Sequence, residues 1–131
     1  QFDNQKPKII PTSGKDRILA MQWHALAHGA IEAVVNRLLE TRRPPKHQMA
    51  EIIIREEQRL KRILNHVEKK LSNKGPQLDS ESNFASLMLG VAMLYTDFRY
   101  PHDWRTEHPQ LSSLVETIAN RPSFQMTEPI L

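Results

Sequence analysis

The placement of proline limits this chain more than any other feature. Nine prolines are present, and none lies between Pro11 and Pro44, between Pro45 and Pro76, or between Pro76 and Pro101. Proline lacks an amide donor and pushes the residue before it out of the α region, so each one marks a helix boundary rather than a helix interior. The proline-free blocks are rich in Ala, Leu, Met, Glu, Lys, Arg and Gln, which cost least in a helix. With 4 Gly and 6% aromatic residues in a chain of 131, the sequence reads as one all-α domain, and nothing in its pattern asks for a sheet.

The first block predicts a long helix from Lys15 to about Arg42, capped by Ser13 or Thr12, with Asp16 in its first turn. Leu19, Trp23, Leu26, Ala30, Ala33 and Val34 recur at helical spacing, and Ile31, Val35, Leu38 and Leu39 continue on an adjoining face, so both broad faces can be covered. Pro44-Pro45 then forces a sharp turn. From about Lys46, the stripe Met49, Ile53, Leu60, Ile63, Leu64, Val67 and Leu71 defines a second amphipathic helix. Glu56 interrupts that stripe, either as a solvated edge residue or as a carboxylate paired with an arginine across an interface. Ser72-Asn73-Lys74-Gly75-Pro76 ends the helix, and a polar loop runs to Asn83.

Phe84 to Tyr100 is apolar nearly all round, the pattern of a buried helix. Pro101 closes it, a loop holding Trp104 follows, and His108-Pro109 opens a short helix carrying Leu111, Leu114, Val115 and Ile118, which Arg121-Pro122 stops. The expected architecture is a helical bundle around a central buried helix over about 84–100.

The 18 basic and 15 acidic residues give a net charge of +3, and the two signs are interleaved. Arg59, Lys61, Arg62, Lys69 and Lys70 have Glu56, Glu57 and Glu68 among them at pairing distance, which predicts a solvated face. Without a one-signed stripe or exposed aromatics, nucleic acid is not an expected partner, and an anionic membrane is equally disfavoured. No apolar run approaches the roughly 18 residues that span a bilayer. The absence of Cys excludes disulfides, Cys-ligated zinc and thiol catalysis from this segment and is compatible with a cytoplasmic location.

Several stretches together resemble a known family. Met21-Gln22-Trp23-His24-Ala25-Leu26-Ala27-His28-Gly29-Ala30 with Glu32-Ala33 is similar to the first helix of the C-terminal domain of bacterial cytosolic glutathione transferases. The more specific match is Asn83-Phe84-Ala85-Ser86-Leu87-Met88-Leu89-Gly90 leading to Leu94-Tyr95-Thr96-Asp97-Phe98-Arg99-Tyr100-Pro101, then Asp103-Trp104-Arg105, His108-Pro109-Gln110-Leu111 and Arg121-Pro122-Ser123-Phe124. The resemblance runs from about Lys8 to Phe124. It implies a remnant of an interdomain linker at 1–12, with Pro7-Lys8-Ile9-Ile10-Pro11 as its characteristic part, and a helical domain over 13–131. It further implies a missing N-terminal thioredoxin-like domain that would carry the glutathione site and the thiol-activating residue. This chain would then hold no catalytic residue and no cofactor of its own, and would be inactive in isolation. Glutathione would be the co-substrate of the longer protein. The helical half would form the wall of the pocket for the electrophile and much of a homodimer surface.

The family's buried helix usually opens with Ser or Thr followed three residues later by Asp, a reciprocal cap. Asn83 and Ser86 hold those places here, and His28 stands where an acidic residue is common. Trp23, His24, Ala27 and His28 are the expected pocket-lining residues, against the simpler reading of Trp23 as a core or interface anchor. His24, His28 and Glu32, four apart on one helical stripe, have the donor types of a divalent metal site, although a polar stripe at a pocket boundary needs no metal. Asp97 and Arg99 are expected to be structural, closing the buried helix. The alternative function is a non-catalytic assembly module of the same fold.

Overall fold

The computed structural model describes residues 9–73 and 83–130. Its elements in chain order are α1 (Gly14–Thr41), a 3-10 turn (Pro45–His47), α2 (Ala50–Ser72), α3 (Phe84–Arg99), α4 (Pro109–Ala119) and α5 (Pro122–Gln125). No strand occurs among the described residues. Part of the expected linker, Gln1 to Lys8, and the loop from Lys74 to Ser82 lie outside them.

The helix boundaries follow local chemistry, with two departures from expectation. Ser13 occupies the N-cap of α1 in extended geometry but makes no side-chain cap, and the chain enters the helix through Gly14 at φ 75°. That is left-handed backbone, which glycine adopts without steric cost. The second helix begins at Ala50 rather than Lys46, because the 3-10 turn takes up Pro45–His47. Glu40 secures this turn: its Oε1 accepts from the Met49 backbone N–H at 2.7 Å, and Arg43 Nη1 reaches both its oxygens at 3.2 and 3.3 Å. The Gln48 side chain donates to the carbonyls of Thr41 and Arg43.

Hydrophobic packing assembles these helices into one bundle. α1 packs along both α2 and α3, and α4 bridges α3 and α2 on the far side. The shared core holds Trp23, Ala27, Ala30 and Val34 from α1, Leu60, Leu64 and Val67 from α2, and Leu89, Ala92 and Met93 from α3. Trp104, Leu111 and Val115 complete it. Each fully buried Leu or Val contributes about 1.5–3 kcal/mol relative to exposure. α3 is buried at seven of its sixteen positions and meets neighbours on two sides, while Val91 stays 45% exposed on its outer edge. At Gly90 a side chain would run into Ile118 of α4, whose Cβ would lie 3.1 Å from the added carbon, so the absence of one lets α3 and α4 touch.

The second helix is tied to its neighbours by the glutamates expected on a solvated face. Glu57 accepts from Arg37 Nε of α1 at 2.7 Å. Both Glu68 oxygens accept, at 2.9 Å each, from the Gln110 and Leu111 backbone N–H groups, so α2 caps the start of α4. Glu56 is 3% exposed, which corrects the solvated reading: Arg55 and Arg59 of its own helix hold it, at 3.0 and 3.5 Å. An ionised carboxylate can stay buried only when so paired. Asp97 accepts from Trp104 Nε1 at 2.8 Å and from both Arg105 Nη groups at 3.0 and 2.6 Å, closing the loop after α3 as expected of a structural residue.

Candidate functional site

The outward face of α1 carries an open, largely apolar depression. Gly14, Arg17, Ile18, Met21, Gln22 and Ala25 line an open groove of about 520 Å³. Ile18 and Met21 expose 60% and 37% of their surface there, large apolar side chains turned away from the core. Ala25 and His28 are three apart on the helix, so the groove line continues onto the histidines.

At that end three rings stand in series. His24 stacks on Phe84, the first residue of α3, with centroids 5.6 Å apart and planes inclined by 14°. His28 follows at 5.9 Å and 32°. Phe84 is held in place by the start of its helix, where Asn83 Oδ1 accepts from the Ala85 backbone N–H at 2.8 Å. Ser86, the other residue of the expected cap, is fully buried. Offset aromatic pairs of this kind add about 0.5–1.5 kcal/mol beyond the area they cover.

The electrostatics next to the rings are already committed. Glu32 lies 4.0 Å from His28 Nδ1 but takes a 2.8 Å hydrogen bond from Arg59 Nη2, and this bond raises the Arg59 pKa, with burial opposing. Among the described residues no three His, Asp or Glu side chains converge as metal ligands, and the His24, His28 and Glu32 stripe is no exception. The arrangement can hold an apolar or flat group.

Of the four expected pocket residues, the structure brings His24 and His28 together at the surface and puts the other two inside. Trp23 is 2% exposed with Lys70 Nζ 4.8 Å from its ring centre, and Ala27 is wholly buried. Both share the α1 stripe that faces the other helices, and both belong to the shared core. Among the described residues the Trp23 Nε1 atom has no hydrogen-bond partner. Sequence reasoning did not single out Phe84, Ile18 and Met21, which the structure places along this candidate site. The spacing of Ile18, Met21, Ala25 and His28 off the buried stripe was the available signal.

No family model matches the chain. It is similar to the GST-like protein YibF of Escherichia coli K12, with 28% identity over 127 residues that cover 96% of this chain and 62% of that protein. Among solved structures it is similar to a glutathione S-transferase from Methylobacillus flagellatus KT with GSH bound, at a TM-score of 0.87, 26% identity, and coverage of 97% of this chain and 64% of that one. It is also similar to a glutathione transferase family member from Pseudomonas fluorescens Pf-5 with bound S-(propanoic acid)-glutathione, at a TM-score of 0.87 and 29% identity, covering 96% and 63%. The chain therefore spans less than two-thirds of the length of these relatives.

Proposed function

We propose, from the premise that this chain is a glutathione transferase-like C-terminal helical domain, that it serves a longer glutathione-using protein as the wall of its electrophile pocket. The observation that carries the reading is the open groove of Ile18, Met21 and Ala25 running into the ring series His28, His24 and Phe84. Ligand pockets are mostly apolar, with a few placed polar groups, and they favour the junction between domains. In this reading a thioredoxin-like domain preceding residue 1 binds glutathione and stabilises its thiolate, which attacks the electrophile held against α1. His24 and His28 orient that electrophile, and Phe84 supplies the flat face on which it rests. Glutathione is the co-substrate, and the longer protein works as a homodimer.

The test is steady-state conjugation of glutathione to an aromatic electrophile by the longer protein. Replacing His24 and His28 by Ala is expected to raise KM for the electrophile about 3- to 30-fold, the loss of one or two modest contacts at about 1.4 kcal/mol per decade. KM for glutathione should be unchanged. Unaltered electrophile kinetics would remove the histidines from the pocket. A longer protein that binds no glutathione would end the enzymatic reading and favour the assembly module.

A further inference from the structure

A second cleft, sharing no residue with the α1 groove, opens between α2 and the segment joining α3 to α4, with a volume of about 390 Å³. That is within the range of small-ligand sites, roughly 300–1,000 Å³. Its apolar side chains are Ile54 and Leu64 from α2 and Tyr100 and Trp104 from the opposite side, set among polar residues. Leu64 and Trp104 are buried, whereas Ile54 stands 52% exposed at the lip.

The charged side chains of this lining are three carboxylates against one lysine, with Gln58, His102 and His108 among the remaining polar groups. His102 Nδ1 lies 2.7 Å from the Tyr100 carbonyl oxygen, which can only accept, so Nδ1 carries a hydrogen and donates to it. The carboxylates are Glu57, which Arg37 Nε already holds at 2.7 Å, Asp103 and Glu107. Hydrogen bonds from the Thr106 hydroxyl and backbone N–H hold the Asp103 carboxyl below the usual range, so it is ionised at neutral pH. The cation on the cleft lining, Lys61, is engaged with Glu107 at 3.2 Å across the mouth. The flat surface is extended by His102, which stacks on Tyr100 at 4.1 Å while the Arg37 guanidinium covers that ring at 3.8 Å.

Carboxylates in excess of cations beside apolar side chains select a donor-rich, planar cation. We propose that this cleft binds an amidinium or guanidinium group carried on a short apolar stem, with the stem against Ile54, Leu64 and Trp104 and the cation toward Asp103 and Glu107. The stem is held by burial and the head group by charge-assisted hydrogen bonds, which are about twice as strong as neutral ones.

The test is titration of the whole chain with benzamidine, followed by heteronuclear NMR at the Trp104 indole and the amides of Asp103 and Glu107. The expected result is saturable binding with Kd of about 1 mM or tighter, and no binding of benzoate, its anionic counterpart. Lys61→Met removes the competing cation and should tighten binding about two- to fivefold, the size of a surface charge effect. Misfolding cannot produce that gain. Asp103→Asn should weaken binding about tenfold or more. The proposal is overturned if no saturable shift occurs, if benzoate binds as well as benzamidine, or if Lys61→Met leaves the affinity unchanged.

Discussion

Glu40 and Gly90 each hold two helices together, one by charge and one by lacking a side chain. The Met49 backbone N–H is the main cause of the lowered Glu40 pKa, with Arg43 assisting and burial opposing. Because the folded value lies below the ordinary 4.5, the stabilisation is complete above that pH and is lost as pH falls through the depressed value. Glu40→Gln is therefore expected to be less stable than the parent at neutral pH, with the gap shrinking below 4.5 as both chains come to carry neutral groups. Urea unfolding across that range measures the gap, and a constant difference would remove the charge from the explanation. For Gly90→Ala, the helix-propensity gain of about 1 kcal/mol competes with overpacking against Ile118, typically about 1–3 kcal/mol. Ile118 is wholly buried and has no room to swing aside, so overpacking should win and the midpoint should fall. In an Ile118→Ala background, which lacks the Cγ2 methyl that the added carbon would meet, Gly90→Ala should cost less than in the parent.

At the scale of elements, α4 shows how a short helix depends on its neighbour. Its 11 residues are too few to persist alone in water, and His108 at its N-cap makes no side-chain cap. Glu68 of α2 supplies the missing acceptor for two of its first amides and places a negative charge at the positive end of the helix. Beside it, buried His108 spans Trp104 O at 2.6 Å and Asn65 Oδ1 at 2.8 Å, fastening the same end. Glu68→Ala is expected to cost about 1–2 kcal/mol and to speed hydrogen exchange selectively at Gln110 and Leu111. Uniform exchange across the chain would mean that the cap is incidental. None of this was legible in the sequence, where Glu68 sits among lysines and reads as solvated, because its partners lie more than 40 residues away. The helices themselves were legible. Prolines fix their ends locally, and the stripe of Leu60, Leu64 and Val67 names the buried side of α2 without knowledge of what covers it. The candidate site was half legible, since period alone separates Trp23 from His24 only after one knows which stripe of α1 the bundle takes.

For the molecule as a whole, the open question is what meets the α1 face. Ile9, Ile10, Ile18 and Met21 are all exposed along the entrance and first turns of α1, and Ile18 and Met21 share one groove. Burying such a face is favourable on area grounds, and in the chain by itself the partner at hand is a second copy. Sedimentation equilibrium should therefore show a mass that rises with concentration. Because the driving force is hydrophobic, association should strengthen in sulfate, which is excluded from protein surface, and weaken on cooling. Ile18→Glu combined with Met21→Glu should hold the chain monomeric. Val91→Glu, an equally apolar exposed position on the outer edge of α3, should leave association intact. If instead Val91→Glu breaks the assembly and the α1 pair does not, the α3 edge is the interface and the α1 groove remains open to substrate in the assembled protein.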